Sequence, residues 1–337
     1  MPGRILIADD RASRRILLKA QLSATAQDVV QAASGAELLA AAAKTAPDLV
    51  VISDSLPDES GAALCQRLRA GRGGAGVPVI LIGRCDSRAA RIAALRSGAD
   101  AVLEPQPGAG LLQAWARSLL RRRAAEQELA RDSAPAFGFA EAPAPALTPP
   151  GEVALIAPGA AAGLAWKQAL SPLIRDRITL LSPDMALHGL CPTAPPDAIV
   201  IAGCSGDMLR LVSNLRCRSE TLRSAILVVQ DAPGEERAEM ALDLGVSDLV
   251  ETGFDAEEMA LRLRRALARK AQSDSTRLAL KDGLRMAVTD PLTGLWNRRY
   301  ALRVLESMPE GDRPADASFA VMVLDLDRFK QVNDRHG

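Results

Sequence analysis

Short apolar runs alternate with amphipathic stretches of helical length along most of the chain. Arg4-Ile5-Leu6-Ile7-Ala8 is the first run, and after it Ile16, Leu17, Ala20 and Leu22 recur at helical spacing. Strand-like runs follow at Leu49–Ile52, Val79–Ile82 and Ala101–Leu103, with helical stretches over 35–44, 60–70, 87–97 and 108–122. Apolar runs alternating with helices predict βα units around a parallel sheet. Residues 1–123 therefore read as one doubly wound domain.

Residues 124–151 change character: Ala and Pro dominate, with Pro135, Pro143, Pro145, Pro149 and Pro150, and an extended linker is expected. The rhythm restarts after Gly151, with strands expected at Val153–Ile156, Ile178–Leu181, Ile199–Ile201, Ile226–Val229 and Leu249–Val250. This second domain, 152–270, shares phrases with the first. Pro47-Asp48 is matched by Pro196-Asp197, and Gly98-Ala99-Asp100 by Gly245-Val246-Ser247-Asp248. Over 255–288 a connecting helix is expected, free of proline. Met259, Leu263, Ala266, Leu267, Leu278, Leu284 and Val288 suggest a seam on it, interrupted by the polar Gln272–Thr276.

Composition narrows the class. Of 337 residues 48% are apolar, enough for packed cores, but aromatics are only 3%, so aliphatic residues must fill them. Lys+Arg and Asp+Glu both number 41, which argues against a nucleic-acid binder, since that needs a basic excess. Five irregularly spaced cysteines, no CxxC pair and two histidines argue against a disulfide framework or a zinc site. No apolar run reaches the ~18 residues of a membrane helix, and Met1-Pro2-Gly3-Arg4 has no signal-peptide layout. A cytoplasmic protein without membrane or nucleic-acid partners is expected.

Open parallel sheets carry their sites at the carboxyl ends of strands. Asp9-Asp10 ends the first strand and resembles the acidic pair with which receiver domains hold Mg²⁺; oxygen ligands suit that cation. The receiver phosphoacceptor lies five residues after a Pro-Asp phrase and is followed by Pro four later and Gly eight later. Counting from Pro47-Asp48, and back from Pro57 and Gly61, gives Ser53, with Asp54 one residue late. A shift of one residue turns a strand side chain to the opposite face. The receiver Thr/Ser position falls on Gly83 and the Lys-Pro position near Glu104-Pro105. An acyl phosphate needs a carboxylate nucleophile, a metal and a nearby cation. This domain is therefore expected to resist phosphorylation by the usual route. The second domain departs further: Ile156-Ala157-Pro158-Gly159 has no acidic pair, the acceptor position is Ala202 and the Lys position falls near Thr252-Gly253. It reads as a pseudo-receiver.

Two phrases near the carboxyl end carry the most specific signal. Asp290-Pro291-Leu292-Thr293-Gly294-Leu295-Trp296-Asn297-Arg298-Arg299-Tyr300 resembles the opening of GGDEF domains. Asp-Pro ends the incoming helix, Leu-Thr-Gly continues the turn, and Asn-Arg-Arg-Tyr opens the next helix, a structural role. Further on, an apolar strand is expected over Phe319–Leu324, ending in Asp325 and Asp327 on one face, followed by a helix. On that helix Phe329 and Val332 are expected to be buried, while Lys330 and Asn333 share another side. Carboxylate, cation and amide near one strand end are what a nucleoside triphosphate with Mg²⁺ needs.

The whole layout resembles PleD-type response regulators of the GGDEF diguanylate cyclase family. The resemblance implies an α/β protein: two doubly wound, parallel-sheet, receiver-like (flavodoxin-like) domains and, over 285–337, the N-terminal part of an α/β GGDEF (nucleotidyl-cyclase-like) domain. It implies that Asp325 is catalytic and holds Mg²⁺ or Mn²⁺ with the backbone of Leu326. Lys330 would contact the triphosphate and Asn333 the guanine, with Leu326 and Phe329 near the phosphates; Asp327 is as readily structural. The implied activity is condensation of two GTP into cyclic di-GMP in a homodimer, under control of a histidine kinase or another regulatory protein. The Gly-Gly-Asp/Glu-Glu-Phe hairpin is not among these residues, so the chain as written is expected to be inactive. A non-catalytic pseudo-receiver scaffold with a GGDEF remnant is the rival reading. A receiver-coupled DNA-binding regulator is disfavoured, because no helix-turn-helix followed by basic residues is seen.

Overall fold

The structure, a computed structural model, describes residues 3–71, 74, 76–84, 87–137, 150–188, 195–203, 207–230, 234–307, 320–324 and 327–336. It divides into two compact units, Met1–Lys281 and Asp282–Gly337.

The first unit contains two βα repeats. In the first repeat, β1 (Gly3–Ala8), β2 (Ala26–Ala32), β3 (Leu49–Ser53), β4 (Val79–Ile82) and β5 (Ala101–Leu103) are joined by α1 (Ala12–Leu22), α2 (Gly35–Thr45), α3 (Gly61–Ala70) and α4 (Arg88–Arg96), and α5 (Ala109–Phe137) follows. The sheet is wholly parallel in the order β2-β1-β3-β4-β5. In the second repeat, β6 (Glu152–Ile156), β7 (Arg177–Leu180), β8 (Ala198–Ala202), β9 (Ala225–Val229) and β10 (Asp248–Val250) alternate with α6 (Ala160–Leu170), α7 (Pro183–His188), α8 (Met208–Cys217) and α9 (Glu235–Asp243); α10 (Ala256–Val288) closes it. Its order, β10-β9-β8-β6-β7, is the same topology read from the other edge. This is the flavodoxin-like order, with both faces of each sheet covered by helices.

The apolar runs become strands because a strand buried on both faces must be apolar throughout. Leu49–Ile52, Val79–Ile82 and Ile199–Ile201 are all buried. β2 was not foreseen: Ala26-Gln-Asp-Val-Val-Gln-Ala32 is an edge strand whose polar residues hide the run. The expected linker from residue 124 is corrected at its start. α5 continues to Phe137, because Ala124-Ala-Glu-Gln-Glu-Leu-Ala-Arg131 are strong helix formers that outweigh the neighbouring prolines. The rest of that stretch, 138–149, lies outside the described residues.

The repeated phrases have repeated jobs. Asp48 accepts the backbone N–H of Arg4 at 2.9 Å, and Asp197 accepts that of Glu152 at 2.9 Å, so each Pro-Asp ties the start of its own repeat's first strand to the central one. The repeats join through α5 and α9, where Trp115 and Leu119 share one core with Ala238, Ala241 and Leu242. Arg117 pairs with Asp243 at 2.7 Å beside that seam. α10 is one 33-residue helix, but its buried residues are confined to Glu258–Leu263; Leu278 and Leu284 are exposed, so only the first part of the expected seam is covered in this chain.

Asp100, at the start of β5, binds the repeats most tightly. Its carboxylate accepts the N–H of Val79 (2.8 Å) and pairs with Arg69 of α3 (2.7 Å), Arg122 of α5 (2.9 Å) and Arg269 of α10. Burial alone would raise its pKa; Arg269, Arg122 and Arg69 outweigh that and lower it from 3.8 to about 2. A depressed carboxylate pKa gives stability that is complete above 3.8 and lost as pH falls through about 2. Asp100→Asn should therefore cost about 3 kcal/mol or more in urea melts at neutral pH, because three guanidiniums lose their partner. The cost should shrink as the pH of the melts is lowered towards 2.

Candidate functional site

The carboxyl ends of β1 and β3 form the receiver corner of the first repeat. Asp9 is fully buried; its Oδ1 accepts the N–H of Arg11 at 2.9 Å. Its Oδ2 takes no hydrogen bond but lies 3.5 Å from Nε of Arg14. Asp10 is exposed, 3.8 Å from Arg11 Nε and 3.5 Å from the Ser55 hydroxyl that donates to it. Ser53 is buried at the end of β3, with its hydroxyl 3.4 Å from that of Ser55. Asp9, Asp10 and the acceptor position are thus brought to one corner, and the acceptor is a neutral hydroxyl.

Arg14 was not foreseen as part of the site. From the first turn of α1 its guanidinium reaches Asp9 and also donates to the carbonyl of Pro105, in the loop where a receiver lysine would stand. A side-chain cation thus sits against the acidic corner and reaches the β5 loop. Its spacing, five residues after Asp9, was the available signal: a basic residue one turn into the helix that follows an acidic strand end. Among the described residues no cluster of three or more His, Cys, Asp or Glu side chains could hold a metal. The donor set does not fit a resident Mg²⁺, because the third carboxylate is replaced by Ser53 and a guanidinium already faces Asp9.

Asp54 packs against the neighbouring strand end, over Gly83. Its N–H bonds to Ile82 O at 2.8 Å, and its side chain covers Gly83, where a Cβ would lie 2.4 Å from the Asp54 Cβ. The hydroxyl of a receiver Thr/Ser has no room there while Asp54 keeps its place. The second repeat solves the same space in reverse. Gly203 follows β8 and Gln230 follows β9; a Cβ on Gly203 would meet the Gln230 Cγ at 2.8 Å. Ala202 is buried at its acceptor position, and no carboxylate ends β6.

In the second unit the opening phrase folds as a self-contained turn. The Asp290 carboxylate accepts the N–H groups of Leu292 (3.1 Å) and Thr293 (2.9 Å) and the Thr293 hydroxyl (3.0 Å). The Thr293 N–H, with the other donors, holds its pKa below the usual carboxylate value. Gly294 N–H bonds back to Asp290 O at 2.9 Å. Asn297 closes the turn: its Nδ2 donates to Ala287 O (2.9 Å), and its Oδ1 caps α11 (Arg298–Glu306) at Tyr300 N. Trp296 stacks on Tyr300 at 4.5 Å. The phrase is structural, as its local chemistry implied.

The second phrase is placed only in part. Asp325 and Leu326 lie outside the described residues, as does Phe319. Residues 320–324 are not a strand but an unpaired stretch, with Leu324 86% exposed, which corrects the expected β-segment. A strand needs a neighbour to satisfy its backbone, and the described residues of this unit include no strand. α12 (Phe329–His336) forms as expected, with Lys330 and Asn333 exposed on it. Phe329 and Val332 are more than half exposed rather than buried, because no described sheet covers them.

Residues 5–114 match the response regulator receiver domain family, and residues 287–337 match the diguanylate cyclase GGDEF domain family. Response regulator PleD of Caulobacter vibrioides (strain NA1000 / CB15N) is 30% identical over 341 residues, spanning 100% of this chain and 75% of PleD. The probable transcriptional regulator ycf27 of Porphyridium aerugineum is 36% identical over 119 residues, 35% of this chain and 48% of its own. A solved CheY-like receiver domain protein from Methanospirillum hungatei JF-1 is 25% identical over 37% of this chain and 99% of its own, with a TM-score of 0.35, too low to add to the assignment.

The geometry around Arg14 predicts metal behaviour. Wild-type chain should hold no Mn²⁺ through Asp9 in a paramagnetic titration, whereas Arg14→Ala combined with Ser53→Asp should gain a site that Asp9→Asn removes again. Wild-type Mn²⁺ binding that is abolished by Asp9→Asn would contradict the role given to Arg14. The repeated receiver fold, the GGDEF-matched segment and the similarity to PleD along the whole chain establish that the chain belongs to the PleD-type response regulators of the GGDEF diguanylate cyclase family.

Proposed function

We propose that the intact protein condenses two molecules of GTP to cyclic di-GMP, with release of pyrophosphate, and that its receiver-like domains regulate this without a phosphoryl group at position 53. The observation that carries the reading is the joining of a receiver-like repeat, through the single helix α10, to the turn that opens a GGDEF segment in a relative of PleD. In the proposed site Lys330 contacts the triphosphate and Asn333 reads guanine, with Phe329 and the backbone of Leu326 beside the phosphates. Asp325 and the backbone of Leu326 hold Mg²⁺ or Mn²⁺, which when bound supplies positive charge against the phosphates. Each protomer of a homodimer carries one GTP, and the 3′-hydroxyl of each faces the α-phosphate of the other. Proximity of the two sites then sets the rate.

Control by a histidine kinase through the usual acyl phosphate is not supported by the first receiver corner, where Ser53, Gly83 and Arg14 replace the required groups. A regulatory protein or self-association acting on the receiver-like repeats fits better. No helix among the described residues is long and apolar enough to cross a membrane.

The test is turnover of GTP to cyclic di-GMP by the full-length dimeric protein, with Asp325→Ala expected to lose on the order of a hundredfold or more in rate. Unchanged output in that variant would remove the metal assignment. Acetyl phosphate with Mg²⁺ should leave the intact mass of the protein unchanged, and a phosphoryl adduct at Asp54 would overturn the reading of the first repeat.

A further inference from the structure

The two repeats handle one buried arginine differently. In the first, Arg69 of α3 donates to Gly98 O and to the Asp100 carboxylate at 2.7 Å. In the second, Arg216 of α8 stands in the equivalent place and donates to Gly245 O at 2.7 Å and to Ser224 O at 2.9 Å. Ser247 holds the position of Asp100: each takes the N–H of the neighbouring strand, from Val79 in one repeat and Ile226 in the other. Arg216 Nη2 therefore meets a hydroxyl at 3.3 Å where its counterpart meets a carboxylate. Its donors are satisfied by neutral groups, but its charge is not balanced. Burial pushes its pKa down to about 10, as expected for a guanidinium without an anion.

Arg216 lines a cavity of about 390 Å³ between α5, α8 and α10, within the size range of small-ligand sites. Eight basic side chains line it against three acidic ones, Asp100, Glu126 and Asp248. The acids are already engaged. Asp100 is shared by three arginines, Asp248 pairs with Arg262, and Glu126 lies 3.9 Å from Arg122. Among the described residues Arg265 donates to the carbonyls of Leu95 and Ala99 and to no carboxylate. Arg223, exposed at the rim, makes no ion pair among the described residues. Lys270 pairs with Asp197 and Asp274, Arg277 with Asp274, and Arg262 also with Glu258, so among the described residues the unbalanced charge rests on Arg216, Arg223 and Arg265. In a partly enclosed space, where screening by salt is weak, that charge favours an anion with several charges over a monovalent one.

We propose that this cavity binds a small, multiply charged anion, a diphosphate group, which supplies the negative charge that Ser247 does not. The bound anion would bridge α5 of the first repeat and α10, and so tighten the seam between the repeats. The site is separate from the nucleotide chemistry proposed for the GGDEF segment and stands or falls without it.

Calorimetric titration of the whole chain with inorganic pyrophosphate in EDTA, which silences metal-dependent sites, tests this. Saturable binding is expected, weakened about tenfold by Arg216→Gln and by Arg223→Gln, each removing a cationic contact. Arg223 is exposed and holds no structure, so its variant keeps the test valid where Arg216→Gln does not fold. Absence of saturable binding would overturn the proposal. So would binding that Arg223→Gln leaves undiminished, or that only Lys330→Gln removes, which would place it in the GGDEF segment.

Discussion

The buried carboxylate of Asp100 is the interaction on which the arrangement of the first unit depends. Taking a carboxylate out of water costs several kcal/mol, and the cost is recovered only where cations and hydrogen-bond donors surround it. Here the donors come from four elements: Val79 of β4, Arg69 of α3, Arg122 of α5 and Arg269 of α10. Because α10 belongs to the second repeat, satisfying this one charge obliges the two repeats to meet. The surface pairs nearby, Arg88 with Asp255 and Glu257 and Arg96 with Glu257, are more exposed and each contributes far less. They align the root of α10 with α4, while Asp100 holds it.

With the repeats fixed in this way, the proposed loss of receiver chemistry would leave the receiver fold intact. The sheets are held by apolar strands and by the Pro-Asp ties, neither of which involves the acceptor corner. That corner is packed rather than left with gaps. Asp54 fills the space over Gly83 in one repeat, and Gln230 fills the space over Gly203 in the other. Arg14 puts a cation beside Asp9. Restoring an aspartate at position 53 alone would therefore not rebuild a phosphorylation site, since Gly83 and Arg14 would still lack or block its partners. On the proposal above, the first repeat would act through its contacts with α9 and α10 rather than through a phosphoryl group.

Much of this could be read from residues in order, and the exceptions have physical causes. A central strand such as Val79–Ile82 was legible to the residue because burial on both faces forces an uninterrupted apolar run. β2 was not, because an edge strand tolerates Gln27, Asp28 and Gln31. The turn around Asp290 was legible because every bond in it is local. The segment before Asp325 was misread as a strand because pairing is non-local, and apolar residues alone do not provide a partner. Lys330 and Asn333 came out on an exposed helix, as expected, but their meeting with Asp325 rests on the family resemblance. Arg14 and the basic cavity escaped the sequence reading because the reach of a long guanidinium side chain depends on tertiary placement. The substitution of Ser247 for Asp100 was visible in the repeated phrase, but its electrostatic meaning needed Arg216 beside it.

If the Asp100 carboxylate does hold α10 to the first repeat, its energy must be shared with Arg269 across the seam. A double-mutant cycle of Asp100→Asn and Arg269→Gln, read by urea unfolding at neutral pH, measures that sharing directly. The account predicts a coupling of about 2 kcal/mol or more, the size found for close, desolvated charge pairs. A coupling below about 0.5 kcal/mol, the level at which distant sites simply add, would contradict it.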